Sequence, residues 1–388
     1  MLDSLVTRSA LPVNAKAEIV VPRELGGRRP SVSVVIPCYN YGSYLTQCVN
    51  SVLDQPGVRL DILIIDDAST DGSDQVVRRL GAQDKRIRTI IHTENQGNVA
   101  TYNEGLTHVT GDYTVLISAD DLLTPGCLAR ATALMEEYPS VGFAYGSPVI
   151  LRDRDLPPAR TTAKRWIIWP GRDWIWQRCR NGENALRSPE GVMRTSVLRE
   201  IGGVFQAHLP HACDFEMWLR HATASDVGYI AGADQAYYRI HATNMHHRMD
   251  ALGDYSQRLG SFDTVFSERA GALKEVDAMR EEAHRTIARL ALRQAERDTA
   301  YRTIPRSAFH PVLGRYLSGP IGDTTVEDYR AFALKTWPDA KNLSEWQTLD
   351  RLCKEDGLPQ LNPSLVAHMA MRKLTCRSVL WRRKWVGA

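Results

Sequence analysis

Two adjacent carboxylates, Asp120 and Asp121, close the stretch Leu116-Ile117-Ser118-Ala119-Asp120-Asp121 and stand just before Leu122-Leu123-Thr124-Pro125. Acids at the carboxyl end of a strand lie where open α/β sheets bind their ligands. A hard divalent cation such as Mg²⁺ takes one or two carboxylates and completes its shell with substrate phosphate oxygens, so this pair can hold one. The plainer reading is that they cap the helix expected from Pro125 through Ala129, Leu134 and Met135. A third candidate is Asp214, in Cys213-Asp214-Phe215-Glu216-Met217-Trp218-Leu219-Arg220-His221-Ala222. Phe215, Trp218, Leu219 and Ala222 form an apolar helical stripe at i, i+3, i+4 and i+7. At about 100° per residue, Asp214 lies at the edge of that stripe beside Trp218, where it can face a cleft. Its plainer reading is a helix N-cap. Glu216 falls on the far side with Arg220 one turn on, which reads as a solvated i, i+4 pair.

The elements that must carry these side chains alternate. Apolar strands at Ser33–Pro37, Leu60–Ile65, Arg88–His92 and Tyr113–Ile117 are separated by helical patterns. One helix rests on Tyr44, Leu45, Cys48, Val49, Val52 and Leu53, the next on Val76, Val77 and Leu80, and a third spans Val99–Val109. Such alternation through about residue 138 implies a parallel sheet with right-handed crossovers. No Gly-x-Gly-x-x-Gly follows the first strand and no Gly-Lys-Ser/Thr lies near it, so a bound diphosphate would need a metal, which points back to Asp120. Residues 1–30 read as an N-terminal extension ending in Gly26-Gly27-Arg28-Arg29-Pro30.

From Gly142 the alternation fades. Trp166, Trp169, Trp174 and Trp176 can stack on a sugar ring, although burial against the sheet is the commoner fate. Phe266, Ala270, Leu273, Val276, Met279, Ala283, Ile287 and Leu290 predict one long amphipathic helix. It would pack on the preceding domain or pair with a second copy in a homo-oligomer. Two more helices are expected over Thr324–Lys335, with Thr324 and Glu327 at capping-box spacing, and over Ser344–Lys354. The basic and aromatic end, from Met371 to Trp385, reads as a solvated tail or as a peripheral contact with an anionic membrane.

At 388 residues the chain has room for two domains, and 43% apolar with 24% charged residues is an ordinary soluble composition. A net charge of +3 gives no footing for nucleic-acid binding. Seven cysteines without a Cys-x-x-Cys pair favour reduced thiols in a cytoplasmic setting. No apolar run resembles a secretory signal or a spanning helix, so any membrane contact is expected from the surface, at the inner face.

Four motifs in order, Val35-Ile36-Pro37-Cys38-Tyr39-Asn40-Tyr41, Asp66-Asp67-Ala68-Ser69-Thr70-Asp71, Glu94-Asn95-Gln96-Gly97 with Asn103-x-Gly105, and Ser118-Ala119-Asp120-Asp121, resemble the family 2 inverting glycosyltransferases of GT-A fold. A fifth, Tyr237-Tyr238-Arg239-Ile240-His241, resembles the segment that ends their catalytic domain, so the resemblance covers about residues 31–245. It implies a mixed, mainly parallel sheet flanked by helices over 31–250 and a helical C-terminal region over 251–388. It further implies sugar transfer from a nucleotide donor, with UDP the expected nucleotide, to a glycan, lipid-linked or small-molecule acceptor, with Mn²⁺ or Mg²⁺ as cofactor. The donor would meet Pro37, Tyr39, Asn40, Asp67, Asn98, Ala119, Asp120 and Arg239. Tyr39 would lie against the base, Asp67 would accept from the uracil imide, Asp120 and His241 would hold the metal, and Asp214 would be the catalytic base. Three positions depart from the family pattern. Ser118 replaces the first aspartate of Asp-x-Asp, Tyr102 stands where relatives place an arginine, and Cys213 replaces the glutamate before the catalytic aspartate. Those departures leave open a non-catalytic nucleotide-sugar-binding or scaffold protein. A nucleotidyltransferase uses a similar sheet, but Pro37-Cys38-Tyr39-Asn40 is not its glycine-rich loop.

Overall fold

The first strong strand, β2 (Ser31–Cys38), is buried on both faces along nearly its whole length, as the core of a parallel sheet must be. The computed structural model describes residues 17–354 apart from 25, 153–154, 242–243, 245–248 and 304–323. The basic C-terminal end at 371–385 lies outside them. β2 pairs in parallel with β3 (Arg59–Asp66) and β5 (Tyr113–Leu116), and β3 pairs in parallel with β4 (Ile87–Ile91). Helices α1 (Gly42–Leu53), α2 (Ser73–Gln83) and α3 (Asn98–Thr107) make the crossovers. Gly105 lets α3 lie on the sheet, because a Cβ there would stand 2.3 Å from a methyl of Val35. Pro37 is tolerated in β2 because pairing with β5 ends at Val35, leaving no ladder bond for it to break on that side.

After β5 the structure departs from a direct strand-to-helix turn. A two-residue strand, β6 (Leu122–Leu123), pairs antiparallel with Ala236 and Tyr237 of the long strand β10 (Asp226–Arg239). Helix α4 (Cys127–Glu137) then starts behind Gly126, two residues beyond Pro125. The chain continues through β7 (Val141–Leu151), β8 (Arg165–Trp169), α5 (Gly171–Asn181), β9 (Val192–Arg194), α6 (Thr195–Glu200) and α7 (Cys213–Ala222). β9 runs antiparallel to both β5 and β7 and so joins the two halves of one sheet. β10 is parallel to β7 and antiparallel to β8, and β1 (Glu18–Val20) adds an edge on β8. Part of the segment read as an N-terminal extension is therefore sheet. Trp166, Trp169 and Trp174 are sealed in the core, so stacking on a ligand is not their role.

The single long helix expected after residue 266 is instead two, α8 (Ala251–Glu268) and α9 (Val276–Thr303), separated by a 3-10 turn at Ala270–Ala272. α8 packs on α7 through Phe262 against Phe215, ring centroids 5.2 Å apart. α9 carries a separate apolar cluster with α10 (Val326–Thr336) and α11 (Ser344–Lys354). The capping box of α10 uses Thr325 and Asp328, one residue beyond the pair Thr324 and Glu327. Among the described residues no helix is long and apolar enough to cross a membrane.

Glu216 and Arg220 do form their i, i+4 pair, but it is buried rather than solvated, at 0% and 3% exposure. The guanidinium bonds both carboxylate oxygens, at 2.8 and 2.9 Å, and also the carbonyls of Ile201 and Val204, so the 201–204 loop closes over the face that the helical pattern left to water.

Candidate active site

The turn between β5 and β6 places Ala119 and Asp120 at the carboxyl end of the sheet. Neither aspartate caps α4, whose N-cap is Gly126 without a side-chain bond. Asp120, 4% exposed, accepts through Oδ2 from Asn244 at 3.3 Å and lies 2.9 Å from His241 Nε2. Burial raises its pKa against the pull of His241 and Arg239. Asp121 accepts from the backbone N–H of Arg239 at 2.8 Å. The Arg239 guanidinium donates to the Asp120 carbonyl at 2.7 Å and to Gln47 at 2.8 Å, and stacks over Tyr44. Tyr44 in turn stacks on His241, centroids 5.3 Å apart. Tyr44, Gln47 and Asn244 thus complete a cluster that sequence reasoning did not find. Tyr44 had read as an ordinary residue of the apolar face of α1.

One carboxylate oxygen and one imidazole nitrogen converging from Asp120 and His241 suit a cation whose other ligands are water and diphosphate oxygens. Among the described residues no group of three or more His, Cys, Asp or Glu gathers for a metal, here or elsewhere.

The residues expected to meet the nucleotide surround the ends of β2 and β3. Tyr39 is 47% exposed, a free aromatic face beside the sheet. Asn40 adopts φ 57° and accepts from the Thr70 N–H at 2.7 Å, tying the two loops together. Asp66 accepts from Ser69 N–H and orders the turn. Asp67 is largely enclosed. Its Oδ1 accepts from Gln96 N–H at 2.8 Å and faces His92 Nδ1 at 2.8 Å, while Oδ2 accepts from Gly97 N–H at 2.9 Å. Burial pushes its pKa up, but these bonds outweigh that and leave it below the usual carboxylate value. Gly97, at φ 89°, delivers that N–H and leads directly into Asn98, the first residue of α3. His92 also meets Glu104 at 2.6 Å. Asn103 exchanges hydrogen bonds with the backbone of Phe205, so the Asn-x-Gly motif is a docking device for α3.

Asp214 sits in the first turn of α7, behind Ala212 as N-cap. Its Oδ1 accepts from the Phe215 N–H at 2.7 Å and its Oδ2 from Asn184 at 3.2 Å. Burial pushes its pKa up to about 6. Nearby, burial raises the Tyr238 phenol to about 12, with the charges of Asp121, Asp120 and Asp214 pushing the same way against Arg187. The Arg187 guanidinium lies over the Tyr238 ring at 4.6 Å. Tyr238 thus stands within electrostatic reach of both Asp120 and Asp214. The hydroxyls of Tyr102 and Ser118, two of the departures from the family pattern, lie 3.3 Å apart. The two make a neutral contact that leaves no orphaned charge.

The glycosyl transferase family 2 model matches residues 33–201. An uncharacterized glycosyltransferase of Nostoc sp. is 34% identical over 229 residues, covering 55% of this chain and 66% of the relative. One of Haemophilus influenzae is 27% identical over 217 residues, with the same two shares. The chain thus spans just under two thirds of the length of these curated relatives. The crystal structure of S. aureus TarS 1–349 in complex with UDP-GlcNAc superimposes with a TM-score of 0.54 at 16% identity, covering 82% of this chain and 92% of that one, and shows that the fold is GT-A. With motifs, matched segment and fold in agreement, residues 33–201 form a glycosyl transferase family 2 segment.

Proposed function

We propose that this chain transfers a sugar, with inversion, from a uridine diphosphate donor to an acceptor hydroxyl, using a divalent cation, Mn²⁺ or Mg²⁺, bound at Asp120 and His241. The observation that carries the reading is the wall at Tyr238 and Arg187, within electrostatic reach of both Asp120 and Asp214. It puts Asp120, the carboxylate proposed to hold the cation, and Asp214, a carboxylate of raised pKa, in reach of the same side chains. For uridine, the support is the exposed ring of Tyr39 and the lone pair left on Asp67 Oδ2, which holds one hydrogen bond. The likeness to a structure described with UDP-GlcNAc agrees with it.

In this reading the acceptor oxygen gives its proton to Asp214 as it bonds to the anomeric carbon, and the bond from that carbon to the diphosphate oxygen breaks. One displacement inverts the centre, so no second carboxylate nucleophile is needed. Asn184 and the Phe215 N–H fix the carboxylate for that transfer. A cation at Asp120 and His241 would offset the charge gathering on the departing diphosphate. The acceptor is a hydroxyl of a glycan, a lipid-linked carrier or a small molecule, and the product belongs to polysaccharide or glycoconjugate assembly.

The test is a panel of nucleotide sugars with and without Mn²⁺, read by thermal stabilisation, nucleotide release and the anomeric configuration of the product. Metal-dependent UDP release with an inverted product is the expected outcome. Retention of configuration, or no response to any uridine donor, would overturn the proposal.

A further inference from the structure

Arg178, in the last turn of α5, is 6% exposed, yet among the described residues it makes no hydrogen bond or ion pair. Its one recorded partner is the ring of Trp174, 5.0 Å from the guanidinium carbon. A buried guanidinium normally finds a carboxylate or carbonyls, because the hydration it loses exceeds what an aromatic face returns. The rest of the chain follows that rule. Arg220 is held by Glu216 and two carbonyls, and Arg239 by the Asp120 carbonyl and Gln47. Glu183, whose charge Arg178 feels, is itself exposed and forms no ion pair with it. Only Nε is sealed from solvent without a partner, so the equally unpartnered Nη1 and Nη2 keep an opening to solvent.

The position is informative. Six residues on from Arg178, Asn184 holds Asp214, and Arg187 forms the wall over Tyr238. Tyr145, whose hydroxyl accepts from Trp174 at 3.2 Å, feels the charges of both Arg178 and Glu190. Glu190 in turn feels Asp214. Trp174, Tyr145 and Glu190 thus link Arg178 electrostatically to Asp214, the proposed base.

We propose that Arg178 is an anion subsite for the acceptor, taking an oxyanion, phosphate or carboxylate, carried by the molecule whose hydroxyl is glycosylated. Assigning the anion to the acceptor rests on Asp214 being the base; the existence of the subsite does not. Arginine suits the task because its planar fork binds either oxyanion through two parallel bonds. An acceptor so bound would supply the counter-charge that the described residues do not.

The experiment titrates inorganic phosphate and, separately, acetate into the full chain, first alone and then saturated with UDP and Mg²⁺, with thermal stability and calorimetry as readouts. Phosphate or acetate is expected to stabilise the UDP-saturated protein, and Arg178→Met to weaken that binding by about tenfold or more, the loss of one charge-assisted contact. Without anion, Arg178→Met should melt no lower than wild type, since it removes an unpaired buried charge. Arg178→Lys, which keeps charge but loses the fork, should retain part of the response. A response to phosphate alone identifies a phosphorylated acceptor, and one to acetate alone a carboxylated one. No anion response in wild type, or an undiminished response in Arg178→Met, overturns the subsite. Failure of UDP to bind would instead overturn the donor reading, and the UDP-free titration would still decide the subsite.

Discussion

Replacing Asp214 by Asn removes the proposed base while keeping its shape. The side chain accepts from two donors, Asn184 Nδ2 and the Phe215 N–H, and an amide oxygen can replace the carboxylate toward only one of them. That loss costs about 1 kcal/mol, offset because no charge has to be desolvated, so stability at neutral pH should change little. The sign follows from a pKa pushed up to about 6 in the fold. The protonated form is favoured by folding, so its contribution is fully present below the ordinary carboxylate range and is lost as pH rises through about 6. Transfer should show the opposite slope. About nine tenths of the carboxyl is ionised at about pH 7 and about a tenth at about pH 5, so kcat/KM should fall nearly tenfold over that interval. The variant should lose roughly 10²- to 10⁴-fold in turnover, the usual contribution of general acid–base catalysis. Donor affinity, measured by calorimetry with UDP, should stay within about twofold, since the role proposed for Asp214 is toward the acceptor. A variant retaining more than about a tenth of wild-type turnover, or a flat wild-type profile between about pH 5 and 7, would refute the assignment.

Further predictions concern the donor side and the scaffold. His241→Ala should weaken the metal-dependent part of UDP affinity by about tenfold or more, and unchanged metal dependence would remove it from the cation site. Tyr39→Ala should raise the UDP dissociation constant by the roughly 1–3 kcal/mol that stacking on a base contributes, while leaving the melting temperature of the free protein unmoved. Glu216→Ala strands the Arg220 charge beneath the 201–204 loop and should cost about 3 kcal/mol in urea denaturation, at the low end for a broken buried pair because two carbonyls remain. A loss below about 1 kcal/mol would show that the carbonyls suffice. Thr325→Ala should cost α10 about 1 kcal/mol, and Thr324→Ala much less, if the cap is the one seen.

Much of the sheet was legible because its central strands are buried on both faces and read as continuous apolar runs, as Ser31–Cys38 and Arg59–Asp66 do. The glycines at 97 and 105 were legible as a motif, and the structure supplies their reasons, a positive φ and a close helix–strand approach. The strands β6 and β9, two and three residues long, carry too little pattern to be seen, and their pairing is decided by partners far along the chain. Helical periodicity ran on from Phe266 to Leu290 through what is a turn, because two helices packing on one core keep their apolar residues on one side.

The candidate site divides in the same way. Residue type and local spacing marked Asp120 and Asp214, since a carboxylate after a strand or at a helix start is a local feature, and the family resemblance marked Tyr237–His241. What faces those residues was not local. His241 meets Asp120 across 121 positions, Asn184 reaches Asp214 from the loop after α5, and Tyr102 finds Ser118 through the packing of α3 on the sheet. The burial of Glu216 was likewise decided by the 201–204 loop, outside its own periodicity. Sequence by itself determined which faces are apolar and which side chains can do chemistry. Only the tertiary structure decided which charges are paired, which are buried, and that Arg178 is left without a partner among the described residues, because desolvation and pairing depend on neighbours brought in by strand order.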